Sequence, residues 1–484
     1  MKFPLFFLAT AGGVAACSLA PRYQRPDWAT VPATYQEARG WKLATPADTA
    51  PRGPWWTVFH DPTLDDLEAR VTDANQDLKG AFARLQEARA QTRVARAGQY
   101  PVVTTDGAAA RSKASLSSPS YNSRQPVTYD DFTIGVNLSY EIDVFGRVRN
   151  TIAGARAAEQ ATAGDVAALD LSVRADLASN YFALRGLDEQ QQLLDHTVGD
   201  YQRALKLTEI LYHGGMAARS DVQQAKAQLD LASTQAEDSR LHRAQTVHAI
   251  ATLVGQQASS FELPPVPLLA SAAPPPINLG LPSQLLERRP DVAAAERRVA
   301  AANARIGVTR AAYFPVIGLA GAAGMESFSL SDLMLAPNRF WSLGPQGLLT
   351  LFDGGARRAR TAAALAVYEE QVAAYRESVL TAFQEVEDNL AALRQLERES
   401  ASQAAAVQAT EGALEQANFR YRSGLVIYLE VVATENAALA ARLTAVDIRT
   451  RRLTASVRLI QALGGDWSAA MMDQRGPSIA GGTR

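Results

Sequence analysis

Apolar positions recur along this chain at two periods, and the change from one to the other marks out its elements. From Phe145-Gly146-Arg147 to Gly214-Gly215 there is no proline. Over that run Val166, Leu169, Val173, Leu177, Tyr181, Leu184, Leu187, Leu194, Val198, Tyr201, Leu205, Thr208 and Tyr212 follow steps of three and four, with Gln191 filling the missing beat. This seam follows a heptad more closely than the 3.6 spacing of an ordinary surface helix. It predicts one helix of about 65 residues, rising roughly 100 Å, and such a rod cannot bury its seam alone.

A second run goes from Phe352-Asp353-Gly354-Gly355 to Tyr421-Arg422-Ser423-Gly424, with Leu365, Tyr368, Val372, Tyr375, Val379, Val386, Leu390, Leu393, Val407 and Leu414 on one stripe. The flanks of the two runs correspond at an offset of roughly 210 residues, the signature of an internal repeat. Upstream, Arg96-Ala97-Gly98-Gln99-Tyr100-Pro101-Val102 answers to Arg310-Ala311-Ala312-Tyr313-Phe314-Pro315-Val316. Downstream, Tyr212, Gly215, Asp221 and Val222 answer to Tyr421, Gly424, Glu430 and Val431. The chain is a duplicated unit.

Between Asp131 and Gly146 the period drops to two. Phe132, Ile134, Val136, Leu138, Tyr140, Ile142 and Val144 alternate with Thr133, Gly135, Asn137, Ser139, Glu141 and Asp143, a strand with one apolar and one polar face. Residues 101–115, 315–328 and 339–352 occupy corresponding places with weaker alternation, and Pro345 demotes the last to an interrupted or edge-like strand. A further helix begins near Pro62, with Asp61 or Thr63 as its cap, and continues with breaks through Leu67, Leu78, Phe82, Leu85 and Val94. Closing helices are expected over about 220–254 and 429–463. Each half thus reads helix, strand, loop, strand, very long helix, turn, helix.

Domain boundaries follow from these elements and their flanks. Residues 1–16 read as a signal peptide, 17–56 as an extended N-terminal arm, 57–262 as the first repeat and 263–280 as a Pro-rich crossing linker. Residues 281–465 form the second repeat and 466–484 a polar, Gly-rich tail.

The assembly is constrained by physics. Four strands cannot close a barrel, and an open sheet in hydrocarbon would leave its edges unpaired, so a membrane sheet requires several chains. The alternation of residues 132–144 then puts apolar side chains toward lipid and polar ones toward a wet interior. A soluble sandwich strand has the same pattern, but no other strands are available for a second sheet. Ala153, Ala155, Ala157, Ala158, Ala161, Ala163, Ala362, Ala363 and Ala364 let neighbouring long helices approach closely.

Charge and cysteine usage narrow the partners. A formal charge of −2 over 484 residues gives no positive field for nucleic acid. Met1-Lys2, an apolar core, and Val14-Ala15-Ala16 before Cys17 resemble a bacterial lipoprotein signal, which places the only cysteine where a lipid is attached. An ordinary signal peptide with an incidental cysteine is the alternative.

Several blocks carry a family resemblance: Cys17, Trp55-Trp56, Asp61-Pro62, residues 140–149 (YEIDVFGRVR), residues 281–292 (LPSQLLERRPDV) and Phe352-Asp353-Gly354-Gly355. Together they resemble the TolC-like outer membrane factors, and within them the lipoprotein, NodT-type outer membrane efflux channels. The resemblance implies a mainly α fold with a membrane β part: a homotrimer whose four strands per chain build a twelve-stranded β-barrel above a periplasmic α-barrel of long coiled-coil-like helices. It also implies docking to a periplasmic adaptor (membrane fusion) protein and an inner membrane pump of the RND type, outer membrane lipid as the surroundings, and a lipid-anchored place in the bacterial outer membrane.

The resemblance also locates a periplasmic gate at the two helix turns. Tyr421 falls where a tethering Tyr is expected and Glu430 where some members have a constricting Asp, with Arg422 beside them. At Val426 the chain departs from the charged residues of the family's turn. Tyr212, Arg219 and Asp221 are the candidates in the first turn, and Gly215 and Gly424 mark the tips at which an adaptor would dock. A carboxylate ring at a narrow mouth repels itself and selects against anions. The plainer alternative is that Asp221 and Glu430 are favoured by the helix dipole, and the glycines by the turns.

Enzyme readings find no support. His60, His196, His213, His242 and His248 lack metal-ligand spacing, and Asp353-Gly354-Gly355 is not followed by the Lys-Ser or Lys-Thr of a phosphate loop. No catalytic residue, metal or cofactor is expected. The expected function is passive export of small molecules, such as drugs or other toxic compounds, through a tripartite efflux system. A duct for type I protein secretion and a lipid-anchored coiled-coil scaffold without conduction remain as alternatives.

Overall fold

The computed structural model describes residues 18–26, 35–37, 54–117, 127–268, 273–277 and 288–467. The signal segment, Cys17, most of the arm, parts of the linker, residues 281–287 and the tail from residue 468 lie outside the described residues.

Asp61 caps the first helix, α1 (Pro62–Ala74), accepting from the amides of Thr63 (2.9 Å) and Leu64 (3.1 Å), with Pro62 supplying a first helical residue that needs no hydrogen bond. Thr63 is therefore inside the helix. Asn75 breaks the helix and restarts it as α2 (Gln76–Ala97), its side chain accepting from the Leu78 amide. Strands β1 (Val102–Lys113) and β2 (Thr128–Ile142) then pair antiparallel. The strand ends at Ile142, short of the predicted Val144, because Asp143 turns from pairing to capping. Its carboxylate accepts from the amides of Val148 (2.9 Å) and Arg149 (2.8 Å) and so opens α3 (Arg147–His213). The helix α4 (Arg219–Leu253) returns alongside it.

The second half repeats the order: α5 (Pro290–Ala311), β3 (Val316–Ser327), β4 (Arg339–Leu348), α6 (Ala356–Arg422) and α7 (Tyr428–Ala462). Asp353 repeats the device of Asp143, accepting from the amides of Gly355 (3.1 Å) and Arg357 (3.0 Å). Arg289, just before α5, forks onto Asp291 (2.7 and 3.0 Å), reaches Glu385 of α6 (2.5 Å) and donates to the Ala462 carbonyl at the end of α7 (3.2 Å). This is the physical content of the Arg288-Arg289-Pro290-Asp291 part of the family-like block.

The chain forms two compact units. One gathers residues 1–27, 85–162 and 295–375, and the other 28–84, 163–294 and 376–484. In the first, the sheet runs β1-β2-β3-β4, all antiparallel, with β1 and β4 at its edges. Pro345 lies uninterrupted within edge strand β4. Residues 18–26 lie beside α5, where Ser18 donates to Asn150 (3.0 Å) and Asn303 donates to the Pro21 carbonyl (2.9 Å).

In the second unit Trp55, Leu64, Leu67, Val71 and Leu78 pack on Leu177, Tyr181 and Leu184 of α3, with Ile250 of α4 and Val457 of α7 completing the core. The predicted α3 seam is buried at Val166, Val173, Leu177, Tyr181, Leu184, Leu194, Tyr201 and Thr208, but Tyr212 is exposed. On α6 the stripe is buried at Tyr375, Val379, Val386, Leu390 and Leu393, whereas Leu365 faces outward. Among the described residues no helix is long and apolar enough to cross a membrane.

Candidate functional site

The two predicted helix turns share one hydrogen-bond pattern. At the first, the Met216 amide donates to the Leu211 carbonyl (2.8 Å) and the Gly215 amide to Tyr212 (3.0 Å). At the second, Leu425 donates to Arg420 and Gly424 to Tyr421, both at 2.9 Å. Each is a Schellman ending with glycine in the left-handed region, Gly215 at φ 75° and Gly424 at φ 73°. Gly215 and Gly424 are thus turn residues, and around them Met216, Phe419, Leu425 and Ile427 leave large apolar side chains exposed.

Asp221 and Glu430 occupy the same third position of α4 and α7 but do different things. Asp221 folds back to accept from the Ala218 amide (3.1 Å), while Glu430 reaches across its turn to Arg420 (2.6 Å). The partner of Glu430 is therefore Arg420, which was not among the candidates, while the candidates Arg422 and Arg219 are exposed. Both members of the Arg420–Glu430 pair are largely solvated, so its stabilisation is small, about 0–1 kcal/mol. Tyr212 is exposed, its ring tilted against His213.

Tyr421 is half-buried. Its ring stands 5.6 Å from that of Tyr428 and against a cluster of Ala225, Ala417, Val431 and Val432. Burial, with the Asp221 carboxylate second, raises the Tyr421 hydroxyl above its ordinary value, opposed by a hydrogen bond with Thr208. Of the three first-turn candidates, Asp221 is thus the one that lies near Tyr421, from the opposite half of the repeat.

A polar seam just behind the turns escaped the sequence reading. Tyr201 of α3 donates to Asn436 of α7 (3.2 Å), which donates to Gln228 of α4 (3.1 Å). Beside it, burial and the Asp200 carboxylate push Glu435 up to about 7. The buried Tyr428 hydroxyl and Glu435 Oε2 have no hydrogen-bond partner. Tyr428 and Glu435 are seven residues apart on one helix face, which is the signal that could have revealed them.

The sheet is a second candidate site, in the other compact unit. Antiparallel register puts directly opposed residues on one face. Phe132, Ile134, Val136, Leu138, Tyr140 and Ile142 therefore share a face with Val103, Ile317, Leu319, Ala323, Met325, Trp341 and Leu343. Asp106, Asn137, Ser139, Glu141, Glu326, Ser342 and Gln346 share the other. The apolar face is uncovered, with Trp341 79% exposed and Leu343 63% exposed. A soluble sandwich would have buried it, so this sheet is built for contact with something as apolar as itself.

A four-stranded sheet with one lipid-like face, fed by two very long hairpins from a duplicated unit, defines the TolC-like channel class. The family model described as outer membrane efflux protein matches residues 69–256 and 281–465. The chain is 32% identical over 478 residues to outer membrane protein OprJ of Pseudomonas aeruginosa, covering 96% of this chain and 97% of that one. It is 31% identical to the toluene efflux pump outer membrane protein TtgC of Pseudomonas putida, covering 96% of each. The solved structure of the outer-membrane channel OprN matches with a TM-score of 0.85 at 30% identity, over 93% of this chain and 99% of that one. The chain belongs to the outer membrane efflux protein family. It is an outer membrane protein that extends into the periplasm and serves efflux.

Proposed function

We propose that the protein is the passive exit duct of a tripartite system that exports small molecules, with no chemistry of its own. Three copies close their sheets into a twelve-stranded barrel, and a periplasmic adaptor and an RND-type inner membrane pump deliver the cargo. The observation that carries this reading is the sheet itself, with two free edges, one apolar face and one acidic, polar face. Neither edge can remain unpaired in hydrocarbon, and ring closure by further copies pairs both. The names of relatives, toluene efflux among them, support small-molecule cargo.

Cys17 carries the lipid in this reading, and Ser18, next in sequence, is held at the first turn of α3. Tyr421 with Asp221, and Glu430 with Arg420, hold the periplasmic turns closed. The exposed apolar residues around Gly215 and Gly424 offer the adaptor its footing. Planar-bilayer recording tests the proposal. The purified wild type should conduct weakly, and Tyr421→Phe combined with Glu430→Gln should raise conductance several-fold. A trimer that conducts in neither form would point to a non-conducting scaffold.

A further inference from the structure

Seven of the eight charged residues of the four strands are sorted by sign. Asp106, Asp131, Glu141 and Glu326 lie on the polar face, while Arg111, Lys113 and Arg339 lie on the apolar face together with Asp130. The cations on the apolar face are confined to the end of the sheet away from the helices. Arg111 and Lys113 fall in the last three residues of β1, and Arg339 is the first residue of β4. Asp130 sits opposite Arg111 and pairs with it at 3.7 Å, but the Arg111 side chain stays 76% exposed.

Scale fixes what surrounds Arg111 and Lys113. On β2 the apolar face runs from Ile142 to Phe132, about ten residues, or about 33 Å along the strand and about 25 Å after a barrel tilt of about 40°. That is the height of the hydrocarbon band around a membrane barrel. Arg111, level with Asp130 and beyond Phe132, stands where hydrocarbon gives way to head groups. Tolerance alone does not explain the sign, since either charge is accepted near the interface and carboxylates cost less than cations at depth. A partner of opposite charge does.

We propose that the loop end of the apolar face binds the phosphate groups of the phosphorylated glycolipid of the outer leaflet. The two guanidiniums suit bidentate phosphate contacts and Lys113 supplies a point charge. The inference rests on the barrel reading above. Because β1 and β4 are the two edges of the sheet, ring closure brings Arg339 of one copy to the strand that carries Arg111 and Lys113 of the next, so each seam gathers all three.

Native mass spectrometry of the full-length channel in detergent, with bis-phosphorylated lipid A, dephosphorylated lipid A and phosphatidylglycerol as probes, tests it. The wild type should retain the bis-phosphorylated form at least tenfold better than the dephosphorylated one. Arg111→Gln/Lys113→Gln/Arg339→Gln should abolish that preference, Arg111→Lys/Arg339→Lys should keep most of it, and Asp106→Asn on the opposite face should not change it. Equal retention of the two lipid A forms by the wild type, or an unchanged preference in the triple Gln variant, overturns the proposal. Phosphatidylglycerol held as tightly as lipid A overturns the glycolipid assignment. Bilayer conductance of the triple variant separates the two readings: normal conductance with lost lipid preference supports both, and normal conductance with no preference in the wild type overturns this one alone.

Discussion

Asp188 holds the crossing segment between the two halves, and its removal should release that segment. The carboxylate is buried on α3 and accepts from Arg185 Nη1 (2.9 Å), Arg243 Nε (2.6 Å) and the Val266 amide (2.9 Å). The same two arginines donate to the carbonyls of Pro264 (3.0 Å) and Leu263 (2.8 Å). Asp188→Ala leaves one fully buried guanidinium and one partly buried one without their anion, and strips the Val266 amide of its acceptor. Breaking a buried pair by removing one partner costs about 3–5 kcal/mol. At about 1.4 kcal/mol per decade, the local opening equilibrium should rise by about two to three and a half orders of magnitude. Native-state proteolysis in the fast-reclosing regime reads that equilibrium directly. Cleavage within residues 261–268 should accelerate at least a hundredfold in Asp188→Ala, and by less than threefold in Asp195→Ala, whose ion pair with Arg240 is half-exposed. A rate for Asp188→Ala within threefold of wild type would show that the segment is held by packing alone.

Three further outcomes are expected. A Cβ at Gly186 would lie 2.2 Å from Thr450 Oγ1, which is tied to the Val446 carbonyl at 3.0 Å. Gly186→Ala should therefore cost about 1–3 kcal/mol by overpacking, with Thr450→Ala restoring part of it in a double-mutant melting cycle. Glu435, raised to about 7 in the fold from an unfolded value near 4.3, binds its proton more tightly when folded. Its contribution to stability is thus complete below about pH 4.3 and lost as pH rises through about 7. Hydrogen exchange of the first turns of α7 should quicken over that window, and Glu435→Gln should flatten the dependence. At Gly307 a Cβ would meet Asn150 Nδ2 at 2.6 Å and Ala20 Cβ at 2.7 Å, so Gly307→Val should unseat residues 18–26, seen as faster amide exchange there while the β2 amides stay protected.

The fold was legible where one physical signal dominated. Heptad-like spacing over long proline-free runs located α3 and α6 within a few residues, because nothing else satisfies so long a seam. Strict alternation found β2, and the weaker alternation of β1, β3 and β4 reflects their small residues. Gly324 is such a case, since a Cβ there would press on the Ile134 carbonyl at 2.3 Å and on the Phe340 ring at 2.9 Å. Boundaries slipped where one residue type serves two purposes. Asp143 continues the polar alternation of β2 and also caps α3, and only the backbone decides between them. Leu365 belongs to the apolar stripe by spacing, yet faces outward while its neighbour Ala364 is buried.

The two helix turns were legible but not the partners of their charged residues, and the reason lies in one position of the repeat. Leu211 and Arg420 are equivalent, each the residue whose carbonyl closes the Schellman turn. In the second turn that position offers a guanidinium, and the Glu430 carboxylate crosses to meet it. In the first it offers a leucine, so the shorter Asp221 turns inward to its own helix amide and lies near Tyr421. Aligning the halves for likeness finds the turns. The charge pairing follows from where the halves differ, because a carboxylate at a helix start takes whichever donor comes within reach, and a fixed backbone amide is always one of those on offer. The two tips should therefore respond differently to salt. The second turn is held by a salt-sensitive exposed pair, which high ionic strength should loosen, while the first is held by a backbone cap and a half-buried phenol that salt leaves in place. Raising salt should therefore mimic Glu430→Gln in bilayer recordings without mimicking Tyr421→Phe, and an equal response of both variants to salt would contradict this division of roles.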